Sequence, residues 1–392
     1  MNFIMRSAVA GLALASFAGL ASAQENPVKI GISVSLTGAF ADAIKPAMLA
    51  NEVWVKEVNE RGGLLGRPVE ITHRDNRSNV DDGTTIYQSF LQSEMDFAFE
   101  DGGAFLVQRE STIAEQYQKL FLAPNAFARS LYQRGYKYLF FTGSALSEDI
   151  NIGLVKLLQT LPEDQRPKSV GYVTIENIAF TSMAKGMQEL SAPLSMETVL
   201  DVTYPPNLND ATPLVDNLRQ AAPDMVVNSG LTNDTLLIAR AKKQQGYSPK
   251  LMVISQLAGA QPTFLNTFGD TVEGMVYASP WEAEAKVGNN EAFVQAYEAM
   301  HGIVPTYNGA QAYARWQILE KAITETKSFD HAVLRDYIAQ NEFDTIVGKM
   351  KFNENGYSVP DETFITQIQN GKRVIVWPKE HATGELVYPA NQ

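Results

Sequence analysis

Short apolar segments rich in β-branched residues alternate with amphipathic segments of helical spacing along most of this 392-residue chain. The first apolar segment is Val28–Val34, and residues 46–59 after it carry apolar side chains at close to helical spacing. Alternation of this kind predicts right-handed βαβ units and parallel sheets, since the connection between parallel strands is usually a helix. The chain is therefore predicted to be an α/β protein.

The alternation forms two successive series, and the second begins near residue 147. Two series of four or five strands predict two doubly wound lobes. After residue 281 the pattern is mostly helical, and the chain then ends in three strand-like segments, 349–352, 363–369 and 373–377, with Asn370-Gly371 as a tight turn before the last. The other predicted strands are 28–34, 69–73, 97–99, 120–123, 169–174, 197–202, 225–228 and 251–254.

The first 23 residues have the pattern of an export signal. Residues 1–6 are short and basic, residues 8–20 are apolar, and Ala21-Ser22-Ala23 has the small-x-small pattern of a signal-peptidase site. The apolar stretch is shorter than the about 20 residues that a transmembrane helix needs. We therefore expect cleavage after Ala23 and export of the mature protein.

Composition and motifs argue against several classes of function. The formal net charge is −12, so the clustered cations that bind nucleic acid are not expected. The chain has no cysteine, which excludes disulfides, thiolate metal sites and cysteine nucleophiles. Its four histidines have no metal-ligand spacing, and no hydrolase or phosphate-loop motif is present. We expect no enzymatic activity, no metal and no cofactor.

A set of short motifs occurs in order and at even spacing along the mature chain. The sequence VKIGISVSLTG is followed by a helix and then by NERGGLLGRPVEI, which begins at Asn59. These motifs resemble the leucine/isoleucine/valine-type periplasmic binding proteins. The resemblance implies a type I periplasmic binding fold, in which three crossovers join two lobes that close on a ligand by hinge bending. Further matches are Ala123-Pro124, Arg134-Gly135-Tyr136, Gly269-Asp270, Glu273-Gly274-Met275 and Ala312-Tyr313.

The resemblance also implies an organisation and a function. Lobe 1 would comprise residues 24–143 and 281–348, and lobe 2 residues 144–280 and 349–392. The protein would be the monomeric, periplasmic substrate-binding component of an ABC importer, with a small amino acid or an amphipathic or aromatic organic acid as ligand. Its other partners would be the permease subunits in the inner membrane. A ligand-sensing receptor of the same fold and an exported hydrolase are the alternatives.

The ligand contacts are expected beyond the carboxyl ends of the strands, where open parallel sheets bind their ligands. Two glycines at 102 and 103 would let a ligand approach the backbone, and the N–H groups of the next helical turn favour an anion. An ordinary glycine turn is the alternative. Phenylalanines in these loops would suit an apolar body, although some are expected to point into the lobe cores. The predicted contacts are Phe40, Asp101, Gly102, Gly103, Ala104, Phe105, Ala126, Phe127, Phe180, Asn228, Leu231 and Leu257.

The sequence departs from the pattern of the amino-acid binders in that family. The serine and threonine that help them hold the α-carboxylate and ammonium align with Ala104 and Phe127, and the acid that pairs the ammonium aligns near Leu257. Backbone donors at Ala104 and Ala126 would remain. Two hypotheses follow: Asp101 or Glu100 replaces the lost acid, or the ligand has no ammonium group.

Overall fold

The protein, seen here as a computed structural model, is built of parallel sheets whose strands are connected by helices. The structure describes residues 26–260, 265, 269–285 and 287–390, so the predicted export signal lies outside the described residues. No helix among the described residues is both long and apolar enough to cross a membrane. The predicted α/β fold class is confirmed.

The first sheet has β1 (Val28–Val34) at its centre, between β2 (Val69–Asp75) and β3 (Phe97–Asp101), and both neighbours run parallel to it. A separate parallel pair follows in the chain, formed by β4 (Phe121–Ala123) and β5 (Leu139–Phe141). Strand β1 is buried almost throughout, which explains why its sequence is a nearly continuous apolar run and not an alternating one.

The helices of this sheet come from two separated parts of the chain. The later helices return to the core that contains β1, and Trp54 stacks on Trp316 there with ring centroids 4.5 Å apart. A hairpin of β11 (Glu342–Thr345) and β12 (Gly348–Lys351) packs against the same core. The helices are α1 (Ala41–Glu60), α2 (Val80–Leu91), α3 (Ala104–Gln116), α9 (Asn290–His301), α10 (Tyr307–Thr326) and α11 (His331–Gln340).

The second sheet has seven strands in the order β14-β13-β10-β9-β8-β6-β7, and its two C-terminal strands are antiparallel additions to a parallel sheet. The predicted tight turn joins them, with positive φ at Asn370 and Gly371. The strands are β6 (Ser169–Ile175), β7 (Glu197–Tyr204), β8 (Met225–Ser229), β9 (Leu251–Ile254), β10 (Val276–Ser279), β13 (Phe364–Gln369) and β14 (Lys372–Trp377). The helices are α4 (Ile152–Thr160), α5 (Ile178–Ser191), α6 (Thr212–Ala221), α7 (Thr232–Gln244) and the short α8 (Gln256–Gly259).

Three features differ from the sequence-based expectations. Helix α1 begins at Ala41 and not at residue 46, because Ala43 and Ile44 bury their side chains, and this packing holds the turn before Pro46 in the helix. Strands β5, β10 and β11, of three or four residues each, were not predicted, although the equally short β4 and β9 were. Met350, which the expected boundary placed in lobe 2, packs in the core of the first sheet.

Candidate functional site

A cavity of about 610 Å³, part of it open to solvent, lies between the two main sheets. Its first wall comes from the residues that follow β1, β3 and β4, and its second wall from those that follow β6 and β9. All of these are carboxyl ends of parallel strands, where ligands of open α/β sheets bind.

Eight of the twelve predicted contacts lie around this one cavity, although they come from parts of the chain up to about 200 residues apart. They are Phe40, Gly102, Gly103, Ala104, Phe105, Phe127, Phe180 and Leu257. The other four do not line it. They are Asp101, Ala126, Asn228 and Leu231.

The carboxylate of Asp101 is hydrogen-bonded inside the core of the first sheet. Both carboxylate oxygens accept hydrogen bonds from Arg315, at 2.8 and 3.0 Å, and one also accepts from Asn51 Nδ2 at 3.1 Å. The side chains of Asp101 and Arg315 are fully buried. The hypothesis that Asp101 replaces the lost ammonium-pairing acid is therefore wrong, because its charge is already paired with Arg315.

The other three predicted contacts that do not line the cavity also have local structural roles. The Asn228 side chain donates to the carbonyl of Val173 and accepts from Thr235 Oγ1, which ties β8 to β6 and α7. Ala126 is fully buried, and its carbonyl accepts a hydrogen bond from Tyr132. Leu231 precedes α7 and packs against the core of the second sheet. These residues lie behind the cavity walls and stabilise their position.

The N-terminus of α3 faces the cavity with free backbone donors. Gly103 precedes the helix with φ +115°, a conformation that other residues rarely adopt, and no side chain caps this end. The first N–H groups of a helix have no intrahelical acceptor, and here Ala104 and Phe105, which carry two of them, line the cavity. A Cβ on Gly102 would lie 2.3 Å from Glu100 Oε1. Both glycines are thus required by the local geometry.

Two buried polar residues of the lining without a side-chain hydrogen-bond partner were not among the predicted contacts. Asn125 is 4% exposed, and neither atom of its side-chain amide has a hydrogen-bond partner in the described structure. Ser147 is 1% exposed, and its hydroxyl is also unpartnered there. The sequence carried one usable signal, since Asn125 follows β4 at the sheet edge where ligand contacts were expected. In contrast, Asn177 caps its own helix by accepting from the Ala179 N–H.

Five aromatic side chains contribute to the apolar lining. The rings of Phe40 and Phe105 lie 4.9 Å apart, and Phe127 makes an edge contact with Tyr307 at 6.1 Å. Phe180 is 5% exposed and also belongs to the core of the second sheet, which agrees with the expectation that some of the four phenylalanines serve the cores. Burial raises the pKa of the Tyr307 hydroxyl above its usual range, so this group is neutral.

Among the described residues, none that lines the cavity has a charged side chain. Behind Gly102 lie two fully buried carboxyls, Glu100 and Glu110, and Ser33 Oγ donates to the latter at 3.3 Å. Burial raises the pKa of both well above the usual range, and the nearby Glu110 raises that of Glu100 further. This shift favours the protonated, uncharged form of both carboxyls. The described residues contain no group of three or more His, Asp or Glu that could hold a metal ion.

Comparison with known proteins finds similarity along nearly the whole chain. A family model described as "Periplasmic binding protein" matches residues 27–373. The Leu/Ile/Val-binding protein homolog 7 of Brucella suis biovar 1 (strain 1330) is 24% identical over 398 residues, which cover 96% of this chain and 97% of that protein.

Three solved structures have the same fold. The leucine binding protein LivK of Thermotoga maritima gives a TM-score of 0.78 at 18% identity, with 89% of this chain and 97% of that chain covered. The substrate binding protein LivJ of Streptococcus pneumoniae, in complex with isoleucine, gives 0.76 at 20% identity with 93% and 100% covered. A solute binding protein of R. palustris, in complex with benzoate, gives 0.76 at 18% identity with 93% and 98% covered. The two-lobed arrangement of the described residues is thus the one that these proteins share.

Proposed function

The chain belongs to the periplasmic binding protein family, and we propose that it is the periplasmic substrate-binding component of an ABC importer. It captures a small amino acid or an amphipathic or aromatic organic acid between its lobes and delivers it to the permease subunits in the inner membrane. Its relatives with solved structures include complexes with isoleucine and with benzoate, which bracket this range of ligands. The protein acts as a carrier, not as an enzyme.

One observation carries this proposal: a single uncharged cavity is lined by strand ends from both main sheets. A ligand there contacts both lobes at once, so its binding favours the closed arrangement over the open one. A carrier must also release its ligand unchanged, and an apolar wall with a few polar groups holds a small molecule without offering it a nucleophile.

The proposed lobes are those expected from the sequence, residues 24–143 with 281–348 and residues 144–280 with 349–392, except that β12 with Met350 belongs to the first lobe. The protein acts as a monomer. Two of the segments that connect the lobes contact each other. The Ser144 hydroxyl, in one of them, donates a hydrogen bond to the Pro280 carbonyl, in the other, at 2.9 Å. Gly143 is close-packed at the same place, where a Cβ would lie 2.1 Å from Gln311 Oε1. This contact keeps two connecting segments together as the lobes move, so that bending is shared between them.

A thermal-shift screen of amino acids, aromatic acids and amides tests the proposal. A ligand at 100 times its Kd stabilises the native protein by about 2.7 kcal/mol, which raises Tm by several degrees. Ala179 lines the cavity, so Ala179→Trp should abolish the shift, whereas Ala299→Trp on the exposed face of α9 should leave it intact. A flat response to every solute, together with turnover of an ester or amide, would contradict a carrier function.

A further inference from the structure

Asn125 is the most unusual residue of the cavity, because a buried amide normally forms hydrogen bonds through both of its polar atoms. It follows β4 and lines the cavity, but neither Nδ2 nor Oδ1 has a partner in the described structure. The assignment of the two amide atoms does not affect this result, since both are unpartnered. Asn125 therefore has at least one donor and one acceptor available to a ligand.

The charges around the cavity restrict what this ligand carries. An ammonium group would be buried without a counter-ion, because Asp101 is paired with Arg315 and the cavity lining has no charged side chain. Glu100 does not compensate, since it lies behind Gly102 and shares its buried site with Glu110. An α-amino acid is thus poorly matched to this cavity.

A carboxylate is matched only in part. The free N–H groups at the N-terminus of α3, the Ser147 hydroxyl and one N–H of Asn125 are all suitable donors to it. However, an ionised carboxylate has no proton to donate, so the acceptor oxygen of Asn125 would stay buried and unpaired.

We infer that the ligand carries a neutral amide group on a compact apolar or aromatic body, and that Asn125 determines this specificity. The inference rests on the proposed carrier function and names its ligand class. An amide of the –CO–NH– type donates and accepts, so it can form two hydrogen bonds with the Asn125 side chain. Its carbonyl also suits the donors of α3, and its body lies against Phe40, Phe105 and Phe127.

Matched sets of small molecules test the inference by calorimetry. One set is phenylacetamide, phenylacetate and L-phenylalanine, and the other is isovaleramide, isovalerate and L-leucine. Each set keeps the apolar body similar and changes the polar end from amide to acid to amino acid. We expect the amide to bind at least tenfold more tightly than the other two members of its set.

Asn125→Asp removes the donor of this side chain at nearly unchanged size, so we expect it to weaken amide binding at least tenfold. Asn353→Asp is the matched control, because Asn353 is exposed and outside the cavity lining, and its side-chain oxygen accepts from the N–H groups of Asn355 and Tyr357, a role that aspartate also fills. This control introduces the same charge and should change amide affinity less than threefold. Ser147→Ala, which retains Asn125, should weaken binding by a smaller factor than Asn125→Asp.

Tighter binding of the acid or the amino acid in either set would overturn the inference, as would undiminished amide binding by Asn125→Asp. If neither amide binds while another solute class does, the inference fails and the carrier function stands. If no solute of any class binds, the proposed function fails as well.

Discussion

Arg315 and Asp101 form an ion pair with two hydrogen bonds, and both side chains are fully excluded from solvent. Asp101 ends β3 immediately before the Gly102-Gly103 loop, and Arg315 lies on α10, more than 200 residues later in the chain. The pair therefore joins a wall of the cavity to the helices that return to the first sheet. Trp316 and Asn51 extend this contact, since the Trp316 indole donates to Asn51 Oδ1 at 2.8 Å.

Arg315→Met should lower the free energy of unfolding by about 3–5 kcal/mol, because it leaves the Asp101 carboxylate buried without its partner. Urea denaturation at pH 7 measures the loss. The control is Arg109→Met, which removes an exposed partner of Asp81 and should cost no more than about 1 kcal/mol. Equal losses for both variants would contradict a special role for the buried pair.

Gly103→Ala should destabilise the protein by about 1–3 kcal/mol, because alanine is strained at φ +115°. Gly62→Ala, at φ +99° with no neighbouring atom within 4 Å of an added Cβ, is the control for backbone strain away from the cavity. Both should lower Tm, but only Gly103→Ala should also weaken ligand binding, since it disturbs the N-terminus of α3. If Gly103→Ala binds ligand as tightly as the wild type, the Gly102-Gly103 loop is not part of the binding site.

Phe105→Ala and Phe180→Ala should separate binding from stability. Phe180 belongs to the core of the second sheet, so its truncation should cost about 3–5 kcal/mol of unfolding free energy. Phe105 is half-buried and contacts Phe40, so its truncation should cost much less while still weakening the binding of an aromatic ligand. Chemical denaturation and calorimetry on the same samples make the comparison. Similar losses of stability would show that Phe105 is also a core residue.

Glu282 should make stability depend on pH. Burial, together with the nearby Glu284, raises the pKa of Glu282 to about 7, although Thr366 Oγ1 donates to its carboxyl at 2.9 Å. Since the folded pKa is above the unfolded value near 4.5, the contribution to stability is complete below pH 4.5 and is lost as the pH rises through 7.

Glu282→Gln cannot titrate and should therefore gain stability relative to the wild type between pH 4.5 and pH 8, by at most about 3 kcal/mol. Denaturant midpoints across this range test the sign. A difference between the two proteins that stays constant with pH would contradict the raised pKa. Glu284→Gln, which leaves Glu282 in place, should lower the midpoint of this dependence slightly.

Leucine and valine should bind weakly or not at all. Ala104, Phe127 and Leu257 line the cavity, and the family resemblance implies that they stand where amino-acid binders have the groups that hold an α-amino acid. The Asp101 carboxylate is already paired with Arg315. Calorimetry with both amino acids measures this directly. Micromolar binding of leucine would overturn the prediction.

Local patterns in the sequence were sufficient for most of the architecture. Strands β1 and β9 begin and end at the predicted residues, because a buried strand of a parallel sheet is a continuous apolar segment. The Asn370-Gly371 turn was equally clear, since few residues accept positive φ at both positions. The short strands β5, β10 and β11 were missed. Strand β10 pairs with the distant β13, whereas β5 and β11 pair with the neighbouring β4 and β12, so pairing distance alone does not explain these omissions.

The sequence by itself determined the fold class, the loops at which a ligand is expected and the aromatic character of its contacts, because these follow from periodicity, glycines and composition near strand ends. Only the tertiary structure decided which polar groups remain available there. Asp101 and Asn125 are both polar residues next to a strand end, yet Arg315 satisfies the first, while no residue in the described structure satisfies the second. A hydrogen bond depends on where its partner lies in space, and for Asp101 that partner is 214 residues away in the chain.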